Sequence, residues 1–266
     1  MRWRVRSCGY RYYMALSRSG RRLEIADREV HLWAVRFDAS EQHFEQCRQW
    51  LDAGERERAA RFHFERHARV FTLGRASLRA LIGAYLGRRP ESIRFRYGAK
   101  GKPSLDEPGS EGFLFNFSNS GPFGLYGFTW GCELGVDVEE LRPVPEIEAI
   151  AARFFARDEV SDLMSLPEAE RPRAFHSCWT RKEAYIKAVG DGLSVPLDSF
   201  RVTLLPGDPP RMTQLNGSEQ AARGWTLQDV SPTPEHAGAL AYPDRPRPLV
   251  VNSLVTVSEL LDDLAF

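Results

Sequence analysis

Two acidic residues in the segment GVDVEE are spaced for joint chemistry. Asp137 and Glu139 are separated by one apolar residue, and the two-residue period of a β-strand places both carboxylates on the same face. Adjacent carboxylates repel each other unless a cation or protons intervene. The segment therefore predicts either part of a hard-metal site, which needs further ligands from elsewhere in the chain, or a solvated acidic strand end.

A second segment, CWTRKEAYIKAVG, is typical of a helix with reactive side chains on one face. Trp179, Glu183 and Lys187 recur at every fourth position and share that face, with Lys182 beside it. An ordinary amphipathic helix with a Glu183–Lys187 ion pair would give the same spacing. The chain has 36 basic residues but only four lysines, and two of them lie here. Because lysine offers a compact ammonium where arginine offers a planar fork, this retention favours a functional role.

Phosphate binding is indicated by a third region, the loop GAKGKPSL and the strand end FNFSNSG. Lys102 in the glycine-rich loop combines ammonium charge with close backbone approach, and Ser118, Asn119 and Ser120 add hydroxyl and amide donors. These are the groups that a phosphate-rich ligand requires. The loop is not a Walker motif, because Pro103 stands where that motif has Ser or Thr.

The elements that must position these residues occur twice in the same order. A strand from Val30, helical sequence over 56–86, a further strand and a hairpin turning at Gly121–Pro122 form the first round. A strand at GVDVEE, helical segments, the strand SFRVTLL and a hairpin-like close form the second. This order predicts two similarly folded halves that meet near residue 130.

The same order divides the chain into three regions. Residues 1–28 are rich in arginine and are predicted to form a basic, poorly ordered N-terminal extension. Residues 29–130 are the predicted N-terminal half, and residues 131–266 are the predicted C-terminal half.

The composition excludes several classes of protein. The formal net charge is +0, so no global field draws the chain onto nucleic acid or a membrane. No apolar run approaches the roughly 18 residues of a transmembrane helix, and no secretory signal is recognisable. Cys8, Cys47, Cys132 and Cys178 show neither CxxC spacing nor a shared cluster with histidine. We therefore expect a reduced, cytoplasmic protein without a cysteine-bound metal.

Taken in order, the segments GKP, FNFSNS, GVDVE, ARFF and WTRKEAYIKAVGDGL resemble the surfactin-type 4′-phosphopantetheinyl transferases. The likeness runs from about Val30 to Tyr242, and the pairing of GVDVE with W-x-x-K-E-x-x-x-K is highly specific. Enzymes of this family move the phosphopantetheine arm of coenzyme A onto a serine of a carrier protein and release adenosine 3′,5′-bisphosphate. The resemblance implies a Mg²⁺-dependent transferase, a holo-carrier-protein synthase for fatty acid, polyketide or nonribosomal peptide biosynthesis.

The resemblance also implies a set of partners and an α+β architecture of two similar halves related by a pseudo-twofold. Each half is expected to be a small, mostly antiparallel sheet packed on a long helix, with the active site between the halves. The N-terminal half would contact coenzyme A, and the C-terminal half would supply the Mg²⁺-binding carboxylates and the W-x-x-K-E-x-x-x-K helix. We expect an apo acyl or peptidyl carrier protein and coenzyme A as partners, neither nucleic acid nor membrane, and a monomer.

The family's functional residues transfer to positions of this sequence that match its motifs. Asp137, Glu139 and Glu183 are the expected Mg²⁺ ligands. The expected coenzyme contacts are Arg58, Lys102, Pro103, Ser118, Asn119, Lys182 and Lys187. Two departures stand out, because relatives usually have histidine where Asn119 stands and often a basic residue where Glu55 stands. Asparagine still donates a hydrogen bond but brings no charge to the coenzyme's 3′-phosphate.

Glu183 and Lys187 are the expected catalytic residues. The carrier serine must lose a proton, and either Glu183 or a metal-bound water is the expected base. Lys187 stays protonated beside a glutamate and phosphates, so we assign it the role of a phosphate clamp.

Carrier recognition is predicted at the segment GDGLSVPLDSF, which follows the second motif. Leu193, Val195 and Phe200 are candidate apolar contacts, although structural packing explains them equally well. Arg181 and Arg201 are candidate contacts to an acidic carrier by charge complementarity.

Two other functions remain open from the residues alone. A protein of the same fold could bind coenzyme A or a carrier protein as a catalytically inactive regulator, although the complete set of acidic residues and Lys187 argues against this. A different Mg²⁺-dependent phosphotransferase could use a nucleotide, but no kinase or P-loop motif supports it.

Overall fold

A computed structural model describes residues 23–106, 108–190 and 195–264 of the chain. Within these residues the first half of the chain contains β1 (Val30–Arg36), α1 (Glu41–Trp50), α2 (Ala53–Ala60), α3 (Glu65–Leu86), β2 (Phe95–Tyr97), β3 (Pro103–Leu105), β4 (Phe113–Ser120) and β5 (Phe123–Trp130). The remainder contains β6 (Gly135–Glu140), α4 (Ile147–Phe154), α5 (Arg157–Ser165), α6 (Arg171–Val189), β7 (Phe200–Val202), β8 (Met212–Leu215), α7 (Glu219–Ala222), β9 (Thr226–Asp229), β10 (His236–Tyr242), β11 (Leu249–Thr256) and α8 (Val257–Leu264).

The first large sheet has four strands in the order β11–β1–β5–β4. Neighbouring strands are antiparallel except β1 and β11, which run parallel. The long helix α3 is buried continuously from Thr72 to Tyr85. Its Leu78 and Leu81 share one hydrophobic core with Trp33 of β1 and with apolar residues of α1 and α8. Burial of this apolar surface is the main force that holds these helices on the sheet.

The second sheet has three antiparallel strands in the order β6–β10–β9, and α6 packs against β6 and β10. Gly135 at the start of β6 permits this close approach. A Cβ atom there would lie 2.0 Å from the carbonyl oxygen of Ala184 in α6, so the position requires glycine. The helix of the WTRKEAYIK segment therefore lies directly against the strand of the GVDVEE segment.

The two sheets meet along β4 and β6. These strands lie side by side, although each belongs to a different sheet. An apolar cluster contributed by both sheets fills the junction; it includes Val30, Leu32, Leu125, Val136, Val138 and Leu240. The strand end with Ser118 and Asn119 is thereby brought to the strand with Asp137 and Glu139.

The architecture is α+β, with small sheets and helices, as predicted. Strands β4 and β5 form the hairpin predicted at Gly121–Pro122. The helical sequence predicted over 56–86 forms two helices, α2 and α3, interrupted at 61–64. None of the helices in the described residues is both long and apolar enough to span a membrane.

The end of the chain packs on the N-terminal half, although the predicted division at residue 130 assigns it to the C-terminal half. Strand β11 pairs with β1, from Val30 with Leu249 to Arg36 with Thr256. Helix α8 buries Leu260 and Leu264 in the core around α3. Parallel pairing between segments more than 200 residues apart leaves no local signal in the sequence.

The predicted N-terminal extension is described only from Leu23 onward, and residues 1–22 lie outside the described residues. Leu23 and Ile25 pack against the core around α3, and the Leu23 amide donates to the Ala84 carbonyl at 3.1 Å. This part of residues 1–28 is therefore attached to the first sheet's helical layer.

Candidate active site

Two adjoining cavities open where β4, β6 and α6 meet. The lysine cavity, about 330 Å³, is lined by the loop between β2 and β3, by β4 and by the C-terminal part of α6. The carboxylate cavity, about 550 Å³, is lined by the end of β4, by β6 and by α6. Phe117, Glu183 and Lys187 line both, so one ligand could extend through the two.

Strand β6 presents Asp137 and Glu139 to the carboxylate cavity, on one face as predicted. Val136 and Val138 are fully buried in the core between the sheets. Asp137 is also nearly inaccessible, whereas Glu139 is half-buried. The alternation along one strand thus supplies both the core and the acidic wall of the cavity.

Helix α6 presents Trp179, Glu183 and Lys187 to the same cavity, which confirms the predicted face. The Lys187 ammonium donates to Asp137 Oδ1 at 2.6 Å and to Ser118 Oγ at 2.9 Å. Lys187 of α6 therefore forms its ion pair with Asp137 of β6. This contact links all three elements at the centre of the site.

The carboxylate cavity holds more negative than positive charge. Burial raises the pKa of Glu183 above its ordinary value, the charges of Asp137 and Glu139 raise it further, and Lys187 opposes them. Burial also raises the pKa of Glu139, followed by the charge of Asp137. Two carboxylates with raised pKa values around one ammonium favour the arrival of a cation or a proton.

The donor set of this cavity suits a hard divalent cation. Asp137 Oδ2 is buried and has no hydrogen-bond partner among the described residues. With Glu139 and Glu183 it offers the oxygen ligands that Mg²⁺ prefers. In the part of the chain that the structure describes, no three His, Cys, Asp or Glu side chains already converge on one point. The three carboxylates therefore fit the ion by chemistry and placement, and they need side-chain movement to enclose it.

The lysine cavity contains Lys102 and Pro103, as predicted for the glycine-rich loop. The Lys102 ammonium donates to Glu133 Oε2 at 2.5 Å and to the carbonyl oxygen of Ala188 at 3.0 Å. That carbonyl lies at the C-terminal end of α6, where helix carbonyls lack internal partners and attract cations. Lys102 therefore holds the loop against the C-terminal end of α6.

Ser118 and Asn119 both line the carboxylate cavity but differ in availability. Asn119 is exposed. Ser118 is buried, donates its hydroxyl hydrogen to Asp137 Oδ1 at 2.8 Å and accepts from Lys187. Because a hydroxyl has one hydrogen and two lone pairs, Ser118 retains a single acceptor position for a ligand.

Lys182 does not face either cavity, which contradicts its predicted role as a coenzyme contact. Its ammonium is fully buried, pairs with Glu159 at 2.8 Å, and donates to the carbonyls of Leu197 and Phe200 at 2.7 Å. An ammonium has three hydrogens, and all three are used. The residue is structural because the helix turns its side chain away from the Glu183 face.

Arg58 is not brought to the other predicted residues. It is exposed on α2, lies over the Phe71 ring at 5.2 Å, and is not among the residues that line the two cavities. The acidic residue Glu55, which stands where relatives often have a basic one, has a structural role. Glu55 is buried between Arg75 and Arg79, at 2.6 and 2.7 Å, and its side chain also completes the N-terminal cap of α2.

The residues predicted to contact the carrier protein differ in their exposure. Phe200 is buried in the core of the second half, and Arg181 is buried as well, so neither can meet a partner at the surface. Val195 packs against the same core, while Arg201 forms ion pairs at the surface of α5. Leu193 lies outside the described residues.

Two residues that line the lysine cavity, Lys100 and Asn116, were not predicted as site residues. Ser120, predicted as a donor to a phosphate-rich ligand, contacts the carboxylate of Glu139 and does not line either cavity. Asn116 had a recognisable signal, because it shares a strand face with Ser118 at a spacing of two. Lys100 had a weaker one, the scarcity of lysine in the chain.

Comparisons with known proteins match most of the chain. A family model described as the 4′-phosphopantetheinyl transferase superfamily matches residues 133–241, and one described as 4′-phosphopantetheinyl transferase, N-terminal, matches residues 35–126. The 4′-phosphopantetheinyl transferase HetI of Nostoc sp. is 37% identical over 220 residues, 82% of this chain and 90% of HetI. The 4′-phosphopantetheinyl transferase Sfp of Bacillus subtilis is 32% identical over 223 residues, 84% of this chain and 95% of Sfp.

A solved structure also aligns with part of the chain. It is the ACPS–CoA complex of Chronobacterium ammoniagenes, with 19% identity and a TM-score of 0.31. The alignment covers 44% of this chain and 98% of that chain.

Proposed function

The chain belongs to the 4′-phosphopantetheinyl transferase superfamily, and we propose that it transfers the 4′-phosphopantetheine arm of coenzyme A to a serine of an apo acyl or peptidyl carrier protein. The reaction would depend on Mg²⁺ and release adenosine 3′,5′-bisphosphate. The observation that carries this proposal is the junction of β4, β6 and α6, where Lys187 meets Asp137 beside Glu139 and Glu183.

Asp137, Glu139 and Glu183 are the residues that would hold the Mg²⁺ ion. The unpartnered Asp137 Oδ2 and the raised pKa values of the two glutamates support this assignment. When bound, the ion would neutralise the charge of the coenzyme's pyrophosphate as its phosphorus is attacked.

The lysines would hold the phosphates of coenzyme A. Lys187 lies where the two cavities join, and its flexible ammonium could exchange Asp137 for a phosphate oxygen. Lys102 is tied to Glu133 and to the end of α6, so in this arrangement it positions the loop that carries Pro103. Lys100 has no ion-pair partner among the described residues and lines the same cavity, which makes its charge available to an anion.

Glu183 is the proposed general base. In the transfer, the carrier serine oxygen attacks the phosphorus that bears the pantetheine arm, and the bond to the leaving adenosine bisphosphate breaks. The serine proton would pass to a carboxylate oxygen of Glu183, which lines the same cavity as Lys187. Lys187 would stay protonated and offset negative charge that develops on the phosphate oxygens.

We further propose that two similar halves act within one monomer. The lysine cavity is lined by residues from 100–117 and from 183–190, so one chain supplies both of its sides. A monomer in analytical ultracentrifugation that remains active at nanomolar concentration would support this, whereas activity lost on dilution would contradict it. Cys47, Cys132 and Cys178 are free and buried, in agreement with a reducing cytoplasm.

The proposed activity is tested by incubating the protein with coenzyme A, Mg²⁺ and a panel of apo carrier proteins, followed by intact mass measurement of each carrier. We expect a mass gain of one phosphopantetheine group on at least one carrier and loss of that gain with a chelator. Asp137→Asn should abolish it, while Asp208→Asn, in an exposed loop, should not.

The inactive regulator predicts a different result in the same assay. Coenzyme A would bind, as measured by calorimetry, but no carrier in the panel would gain mass. The complete set of acidic residues around Lys187 favours the transferase, since a protein that only binds the anionic coenzyme has no need of three carboxylates beside its phosphates.

A further inference from the structure

Alternate residues of β4 reach across to β6 and connect the two sheets. Asn116 Oδ1 accepts a hydrogen bond from the Val136 amide at 2.9 Å, and Ser118 Oγ donates to Asp137 Oδ1 at 2.8 Å. Ser120, the third of these alternate residues, contacts the carboxylate of Glu139 on β6. We call Asn116, Ser118 and Ser120 the β4 polar row.

The β4 polar row takes the place of a backbone ladder. Strands β4 and β6 are neighbours, but they belong to different sheets. The period of two along β4 turns these three side chains to the same side, towards β6. Their hydrogen bonds therefore align the two strands at the floor of the carboxylate cavity.

Ser120 is held in both of its hydrogen-bonding roles. Its hydroxyl donates to Glu139 Oε2 at 3.0 Å and accepts from the Glu140 amide at 3.0 Å. The amide fixes where the oxygen lies, and the carboxylate then receives the only hydrogen that the hydroxyl has. Ser120 is not among the residues that line the two cavities, so it acts on Glu139 and not on a ligand.

We propose that Ser120 is a positioning residue that holds the Glu139 carboxylate ready for the divalent cation, an assignment that rests on the proposed function. Glu139 is half-buried and has a long side chain whose freedom must be lost when it binds an ion. Asp137 is shorter and is already held by Ser118 and Lys187. Glu139 therefore depends on Ser120 for its orientation, as metal ligands commonly depend on an outer hydrogen-bond partner.

The test measures Mg²⁺ binding to the full chain by calorimetry, with the metal alone and then with coenzyme A present. Ser120→Ala should weaken the Mg²⁺ affinity by roughly 10-fold, because loss of an outer partner of a metal ligand typically has that effect. In the transfer assay the Mg²⁺ concentration for half-maximal rate should rise by a similar factor, while kcat at saturating Mg²⁺ changes little. Ser120→Thr, which keeps the hydroxyl, should restore both values.

Ser231 provides a matched control. Its hydroxyl donates to Asp229 Oδ1 at 2.6 Å and accepts from the Gly238 amide at 3.0 Å, the same pattern away from the cavities. Ser231→Ala should lower the melting temperature about as much as Ser120→Ala does and leave the Mg²⁺ affinity unchanged. Equal Mg²⁺ affinities in wild type and Ser120→Ala would overturn the positioning role alone. A wild-type protein that transfers phosphopantetheine without binding Mg²⁺ would overturn this inference together with the metal assignment.

Discussion

Lys182 and Lys187 lie on the same helix, about 1.4 turns apart, but in contrasting surroundings. Lys182 is completely buried, and three acceptors use its three hydrogens. Its partner Glu159 is equally buried and also accepts from the Val202 amide at 2.7 Å. No hydrogen of the Lys182 ammonium is left for a ligand.

Around Lys187, by contrast, the protein does not satisfy every polar group itself. The Lys187 side chain is 29% exposed, and its partner Asp137 keeps one buried oxygen without a hydrogen bond among the described residues. Glu139 and Glu183 have raised pKa values in the same cavity. The negative charge of the carboxylates and the free oxygen of Asp137 are therefore available to a ligand. A divalent cation with a phosphate ligand would use both.

The difference shows why a lysine motif alone does not define a site. Both lysines belong to the W-x-x-K-E-x-x-x-K segment, and both pair with a carboxylate of another element. What separates them is whether the surrounding acceptors are satisfied by the protein itself. The following variants test that distinction.

The largest effect should come from Lys182→Met. The substitution leaves the Glu159 charge buried without its ammonium, so the free energy of unfolding should fall by about 3–5 kcal/mol, measured by urea denaturation. Lys187→Met, the same change on the same helix, should cost less than half as much, because Ser118 still donates to Asp137 and the lost ammonium belongs to a side chain that is 29% exposed. Adding Glu159→Gln to Lys182→Met should recover part of the loss. Equal losses in the two single variants would remove the contrast between the regions.

Lys187→Gln should have the opposite profile, with little change in folding and a large change in catalysis. Removing the ammonium from the attacked phosphate should lower kcat by about 10²–10³-fold, as does removal of one donor from a developing oxyanion. Initial rates of holo-carrier formation measure this, and calorimetry checks that coenzyme A still binds. Lys187→Arg should recover most of the rate if charge is what matters. Complete loss in Lys187→Arg with intact coenzyme binding would instead make Lys187 a proton-transfer residue.

Local periodicity was sufficient to predict much of this site. A spacing of two placed Asp137 and Glu139 on one face of β6, and a spacing of four placed Trp179, Glu183 and Lys187 on one face of α6. These predictions required only that each segment form its element. The repeated order of strands and helices followed from the same patterns together with the turn residues, whereas the α+β class came from the family resemblance.

Contacts between distant segments could not be predicted in this way. Lys182 is adjacent to Glu183 in sequence, but about 100° of helical rotation directs it to the buried carbonyls of Leu197 and Phe200. The attachment of β11 to β1 and of Lys102 to the end of α6 depends likewise on tertiary packing. Long-range partners decide such cases, and a single sequence does not encode them in its local pattern.

A smaller effect is expected at Lys100, which lines the lysine cavity and has no ion-pair partner among the described residues. Lys100→Gln should weaken coenzyme A binding by about 2–5-fold, since an exposed charge contact is worth about 0.5–1 kcal/mol. Calorimetry at low and high salt measures this, and the difference should shrink at high salt because exposed charges are screened. Lys100→Arg, which keeps the charge, should bind nearly as wild type. An unchanged affinity for coenzyme A together with a raised KM for the carrier would assign Lys100 to carrier recognition instead.

The smallest effect should appear in the pH dependence of folding, measured by urea denaturation of Glu183→Gln without divalent cations. Burial and the charges of Asp137 and Glu139 raise the pKa of Glu183 above its ordinary value of 4.5, so folding favours its protonated form. Wild type should therefore lose stability relative to Glu183→Gln as the pH rises above 4.5, and the two should converge at more acidic pH. Glu259→Gln provides the opposite sign, because hydrogen bonds from the Thr256 amide and hydroxyl to the carboxylate lower the pKa of Glu259. That variant should be less stable than wild type at pH 8 and converge with it in acid. The same direction in both variants would show that the carboxylate cavity does not disfavour ionised Glu183.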